Sequence, residues 1–251
     1  MNASLIATVA VGTLAAALVA SPAANAQQSG GQNKTLSVSG TLSGNLAITS
    51  DYRFRGVSRT FGDPAIQGGL DFTLPSNFYV GIWASIVDKE IFANSRGYEV
   101  DLYGGYKWQL RDGMVVDVGL LQYLFPSSSD FSTLEAYAGV SYRWLYFKYY
   151  YTLSNEYFGA GNADGTQYLD FGANYPLGNG LNVLGHYGIT RGQSGARDYT
   201  DWSVGVTKDW RGFTFGLSYV DTDSDFDFTN RSGRTRDLGN GGFLVSVSKR
   251  F

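Results

Sequence analysis

From Leu42 onward the chain sorts its apolar and polar residues by parity. Leu42, Gly44, Leu46, Ile48 and Tyr52 take one parity, and Ser43, Asn45, Thr49, Asp51 and Arg53 fall between or opposite them. The same period of two returns in Ile66, Gly68, Leu70 and Phe72 against Gln67, Gly69, Asp71 and Thr73. It returns again in Leu134, Ala136, Ala138 and Val140 against Glu135 and Ser141, and in Phe213, Phe215 and Leu217 against Thr214, Gly216 and Ser218. Successive side chains of a strand point to opposite faces, so this pattern predicts strands with one apolar face. It predicts them over 41–54, 65–74, 78–87, 97–108, 114–125, 132–143, 145–154, 166–175, 181–190, 200–209, 213–220 and 241–251.

A soluble sandwich would alternate in the same way, but the connections discriminate. Short ones fall at Pro75 to Asn77, Gln109 to Gly113, Trp144, Pro176 to Gly180, and Trp210 to Gly212. Long ones, 55–64, 88–96, 126–131, 155–165, 191–199 and 221–240, alternate with them throughout. Short turns at one end and long loops at the other, over an even number of strands, is the pattern of a membrane barrel. The fold class is therefore all-β: a transmembrane antiparallel up-and-down β-barrel of about twelve strands, ten or fourteen being the neighbouring counts. Closure agrees with the solvent, because an open sheet edge in lipid would leave backbone groups unpaired.

Aromatic residues stand beside nearly every short turn: Phe78, Trp108, Trp144, Tyr175, Trp210 and Phe213. Rings at one level of a barrel form an interfacial girdle. The final strand places Phe243, Val245, Val247 and Phe251 on one face and ends on Phe251. That ending resembles the signal by which outer-membrane assembly machinery recognises its clients.

Composition narrows the class further. The 251 residues include 33 Gly, 18 Tyr and 16 Phe, with 16% charged residues, a bias toward strands and tight turns. Cysteine is absent, so no disulfide framework or thiolate metal site is available. A net charge of -3 gives no reason to expect a nucleic-acid partner. The leading segment 1–26 is apolar and uncharged from Leu5 to Ala20 and ends in Ala24-Asn25-Ala26. It is expected to be a signal peptide cleaved after Ala26. Residues 27–40 then form a short periplasmic segment, and 41–251 the barrel.

One stretch goes beyond generic barrel features. Ser50-Asp51-Tyr52-Arg53-Phe54-Arg55-Gly56-Val57-Ser58, followed by Asp63-Pro64-Ala65-Ile66-Gln67-Gly68-Gly69-Leu70-Asp71, resembles the opening of the TorF family of outer-membrane proteins, described as porins. Gly81-Ile82-Trp83-Ala84-Ser85, Glu99 to Tyr106 and Lys148-Tyr149-Tyr150-Tyr151 resemble the same family. The likeness covers most of the chain after the leader. It implies a Gram-negative outer-membrane location and a porin role, with no motif that fixes a substrate.

Apolar residues facing lipid put the other parity inside. Candidate pore-lining residues are Asp51, Arg53, Arg55, Asp71, Glu99, Asp101, Lys107, Asp117, Glu135, Arg143, Lys148, Asp170, His186 and Asp201, with Arg250 near the end. So many charges would be costly in a dry core, whereas beside water they are not. Twelve strands give a backbone radius of about 12 Å, leaving roughly 10 Å or less between side chains. The expected function is passive diffusion of ions or small hydrophilic solutes, without cofactor, metal or catalysis. The alternative is a lumen closed by ion pairs, in a barrel with a structural or surface role.

Two features have a plainer reading beside the functional one. His186, the sole histidine, lies between Gly185 and Tyr187 in no nucleophile motif, so a lumen hydrogen-bonder is expected over a barrel hydrolase. Asp221-Thr222-Asp223-Ser224-Asp225-Phe226 imitates the start of a calcium loop, but its sixth residue is not glycine and its twelfth is Ser232. A solvated external hairpin is expected there. The strand glycines, Gly68, Gly69, Gly104, Gly105, Gly139, Gly172, Gly185 and Gly205, ease curvature and make room for rings. No polar seam on the outer parity marks a subunit interface.

Overall fold

The computed structural model describes residues 39–251, and before them only a short pairing of Ala7–Thr8 with Leu18–Val19. The expected leader, with Ala24 and Ala26 at its cleavage site, and most of the segment 27–40 lie outside the described residues. The remainder is one closed barrel of twelve antiparallel strands. In chain order these are β1 (Thr41–Thr49), β2 (Ala65–Thr73), β3 (Phe78–Ile86), β4 (Tyr98–Gln109), β5 (Met114–Leu124) and β6 (Thr133–Tyr142). They continue as β7 (Leu145–Thr152), β8 (Gln167–Gly178), β9 (Leu181–Arg191), β10 (Tyr199–Trp210), β11 (Phe213–Thr222) and β12 (Gly242–Arg250). Each strand pairs with its neighbours in sequence, and β12 closes on β1 in the register Ser246 to Thr49 and Arg250 to Asn45. Phe251 completes the seam by exchanging backbone hydrogen bonds with Gly44 in both directions, at 2.8 and 3.1 Å.

The twelve strands match the sequence expectation closely, with one informative exception. β1 ends at Thr49 rather than at residue 54. The alternation beyond it belongs to a segment that leaves the wall, described below.

The parity rule holds around the wall. Leu42, Leu46, Ile48, Ile66, Leu70, Val80, Ile82, Leu102 and Leu120 face outward and are exposed. Such a contiguous apolar band is tolerable only against lipid or a partner. Rings flank it at both levels. Toward the short turns, Phe78, Tyr106 and Trp108 stack edge to face with centroids 4.6 and 4.7 Å apart, and Trp144 meets Tyr175 at 5.5 Å. Toward the long loops, Trp202, Tyr219 and Phe243 form a second group at 5.7 and 5.1 Å. An apolar ring body with a polar tip suits an interface between hydrocarbon and water.

The short connections are tight because their residues adopt left-handed backbone where a two-residue hairpin requires it. Arg211 (φ 50°) and Gly212 (φ 80°) join β10 to β11, and Arg143 (φ 57°) opens the corner between β6 and β7. Positive φ at both Arg211 and Gly212 is the type I′ geometry, whose twist matches that of the flanking strands. The corner between β6 and β7 also corrects one expectation. Arg143 is a turn residue with an exposed side chain, lying over the Tyr142 ring at 5.0 Å, and not part of the inner wall.

Inside, several rings lie flat against the wall, and glycine on the adjacent strand makes this possible. A Cβ at Gly172 would come within 2.2 Å of the Tyr146 ring, and one at Gly119 within 2.4 Å of the Tyr137 hydroxyl.

The lumen and its plug as candidate functional site

The segment between β1 and β2 does not extend outward as a loop. It turns into the barrel and fills the loop-side half of the lumen. Arg53–Phe54 and Val57–Ser58 pair as a small hairpin, with Arg55 (φ 49°) and Gly56 (φ 81°) at its tip. Gly56 is required twice over: its backbone is left-handed, and a Cβ there would sit 2.7 Å from Cβ of Asp201 on β10. Asp51 organises the base of this hairpin. Its carboxylate accepts from Arg53 Nε at 2.5 Å, the Ser58 hydroxyl at 2.6 Å and the Thr60 hydroxyl at 2.8 Å.

Two arginines fasten the plug to the wall. Arg55 donates from both Nη atoms to the Glu135 carboxylate, at 2.9 and 2.7 Å, and to the Tyr157 hydroxyl at 2.9 Å. Arg59 donates to Glu99 Oε1 at 2.8 Å. Both carboxylates belong to strands, Glu135 to β6 and Glu99 to β4, and they are 1% and 0% exposed. Burying such charges is tolerable only in pairs of good geometry, and the forked Arg55–Glu135 contact supplies it. Arg55 also faces the ring of Tyr168 at 4.1 Å, and Arg59 faces Phe54 at 3.8 Å and Phe158 at 4.2 Å. In the plug, beyond the spanning strands, burial works against the charge of both guanidinium groups. Their carboxylate partners outweigh it and hold them protonated more firmly than usual.

The long connection 223–241 closes over the plug from outside. Its backbone carbonyls at Leu238 and Asn240 accept from Arg53 Nη1 at 3.0 and 2.9 Å, and Leu238 also accepts from the Ser58 amide at 2.8 Å. Arg236 donates to the Phe61 carbonyl at 2.8 Å, and Phe228 meets the Phe61 ring at 6.1 Å. The Asp residues that imitate a calcium loop are engaged locally. Asp223 accepts from the Thr200 amide at 2.7 Å and the Thr200 hydroxyl at 2.9 Å, contacts that hold its carboxyl below the ordinary range.

Below the plug, the mid-lumen is a polar network. Lys148 pairs with Asp117 at 3.3 Å, and Asp117 accepts from the Tyr79 hydroxyl at 2.7 Å, which in turn touches the Tyr137 hydroxyl. His186 is held between two aspartates, its Nδ1 3.0 Å from Asp170 and its Nε2 2.8 Å from Asp201. The Tyr168 hydroxyl lies 3.1 Å from His186 Nε2, and Ser203 stands opposite His186 across the β9–β10 pairing with no hydrogen bond to it among the described residues. Nearer the short turns the wall opens. Asp71, Lys107 and Arg250 are only partly buried there; Asp71 accepts from the Tyr103 hydroxyl at 2.6 Å, while Lys107 lies over the Tyr79 ring at 4.5 Å.

The fourteen sequence candidates thus separate into groups. Asp71, Glu99, Asp101, Lys107, Asp117, Glu135, Lys148, Asp170, His186 and Asp201 stand on the inward parity of strands. Asp51, Arg53 and Arg55 are interior through the plug and not through β1, and Arg143 lies outside the lumen. Sequence reasoning missed Arg59 and the aromatic seat made by Phe92, Phe125 and Phe158. A cue was present in Arg55-Gly56, a two-residue turn in the middle of apparent strand alternation.

Against known folds, the barrel is similar to a KdgM porin with a TM-score of 0.53, at 9% identity over 83% of this chain and 99% of that one. It is similar to a NanC porin with the same TM-score, at 14% identity and with the same coverage. At these identities the likeness concerns the fold. No curated protein matches the chain in sequence. Residues 33–251 match the family Gcw_chp, described as a bacterial protein of unknown function, and the chain belongs to that family.

Proposed function

We propose that this protein is a narrow outer-membrane channel for passive diffusion of ions or small hydrophilic solutes, restricted at its loop-side end by the 50–64 plug. One observation carries the reading: the inner wall is lined with charged and polar side chains, and those nearer the short turns, Asp71, Lys107 and Arg250, stay partly exposed where the inserted segment does not reach. A barrel meant only as a scaffold gains nothing from a charged interior that must then be neutralised. Channels, by contrast, use such side chains to shape selectivity. The outer apolar band and the two aromatic girdles support the location, as does the resemblance of the first half to the TorF family. In this reading His186 is a structural hydrogen-bonder between Asp170 and Asp201, and no catalysis is assigned to the barrel.

The test is ion conductance of the refolded, heat-modifiable full chain in planar bilayers under a salt gradient. Discrete steps are expected from the native chain, and larger ones when Arg55 and Arg59 are both replaced by alanine. A folded barrel that stays silent in both forms would leave the closed-barrel reading, in which the plug is permanent and the long loops carry the role.

A further inference from the structure

The wall around the plug is short of positive charge. Its inward acids in the loop-side half and the middle are Glu99, Asp101, Asp117, Glu135, Asp170 and Asp201, against Lys148 and His186. The plug supplies what is missing, and it does so in two seats of one design. Arg59 enters a box formed by Phe92, Phe125 and Phe158, with its ring-centroid distances running from 4.2 to 5.6 Å, over the Glu99 carboxylate. Arg55 enters a second, between Tyr150 and Tyr168 at 5.2 and 4.1 Å, over the Glu135 fork. Aromatic faces and a carboxylate together recognise a planar, delocalised cation better than a compact one. Asp101 stands beside Glu99 on the same inward face of β4, so the first seat holds a second buried carboxyl next to the one that Arg59 meets.

We infer that these seats are binding sites for guanidinium-bearing small solutes, and that Arg55 and Arg59 occupy them as built-in surrogates. Solute and plug then compete for the same carboxylates, and a solute that wins loosens the plug. The inference deepens the channel reading and rests on it only for the route by which a solute arrives.

The experiment measures binding and not conduction. The full chain is refolded in detergent micelles and titrated calorimetrically with ethylguanidinium, using ethylurea as the uncharged probe of equal shape. Arg59→Ala is expected to bind ethylguanidinium at least tenfold more tightly than the native chain, to ignore ethylurea, and to lose the gain when Glu99→Gln is added. Arg55→Ala should behave in the same way through Glu135. If a variant does not refold alone, refolding in ethylguanidinium, and not in ethylurea, should restore heat-modifiability. Equal binding by native chain and variants, equal response to the two probes, or failure to refold in either would overturn the inference. A silent barrel whose variants bind would sink the channel reading alone, and a conducting barrel whose variants ignore ethylguanidinium would sink only this one.

Discussion

The two halves of the lumen are lined by the same kinds of residue and behave as different materials. On the loop side, Glu99, Glu135 and Asp201 are at most 1% exposed, wedged against the plug and its aromatic residues. On the turn side, Asp71, Lys107 and Arg250 sit on the same inward parity, and none of them forms an ion pair among the described residues. The wall does not make the difference, since strand pairing continues unbroken through both halves. It comes from what fills the bore: the inserted segment on the loop side, and below it the Lys148–Asp117 pair with Tyr79 and Tyr137. Charge in a barrel interior is therefore cheap or costly according to what stands opposite it, and not according to the strand that carries it.

The comparison is broken most severely by removing a single charge from each half. Glu135→Ala leaves the Arg55 guanidinium buried without its fork and is expected to cost about 3–5 kcal/mol. Lys107→Ala on the turn side should cost less than about 1 kcal/mol, because water takes over its solvation. Urea unfolding of both variants in one detergent or lipid reads the contrast, and equal costs would show that the plug is no lock.

A second probe sets the outer wall against the inner one. Leu120→Arg puts a charge at mid-height on the exposed apolar face of β5 and should destabilise by about 2–4 kcal/mol. Its inward neighbour Gly119 faces Tyr137 instead, so a substitution there would report packing and not lipid contact.

A smaller effect sharpens the reading of the turn side as the open half. Lys107→Glu sets a carboxylate directly opposite Asp117 across the β4–β5 pairing and should cost about 0.5–1 kcal/mol. It should move the reversal potential under a salt gradient toward cations, since the residue borders the wet path. An unchanged potential would place the rate-limiting constriction wholly in the plug.

The smallest effect concerns the cover above the plug. The Asp223 carboxyl is held below its ordinary range by the Thr200 amide and hydroxyl, so its contribution is present at neutral pH and fades as pH falls through that lowered value. Hydrogen exchange at the Thr200 amide, compared at matched intrinsic rates, should quicken on acidification. Exchange at strand amides facing lipid should not. A Thr200 amide indifferent to pH would remove Asp223 from what holds the cover in place.

Much of the barrel was legible because its rule is local. Lipid outside and polar groups inside impose a period of two on each strand, and tight turns declare themselves through residues such as Arg211-Gly212. Arg143 was misplaced because a two-residue corner conserves parity: the side chain falls where an inward residue would, while the backbone has already turned. The 50–64 segment was misread for a related reason. Tyr52, Phe54 and Val57 alternate with charged residues as a strand would, since a hairpin packed between a wall and a cover also has two unlike faces.

The sequence by itself determined an even-stranded antiparallel wall of about twelve strands and the face each strand residue takes, because hairpin pairing and parity are local properties. Only the tertiary structure decided that the first long connection enters the lumen. That choice depends on carboxylates 40 and 80 residues further along the chain, at Glu99 and Glu135, meeting Arg59 and Arg55. No local pattern records such a meeting, because its energy exists only once the barrel has closed and excluded water from around the pair.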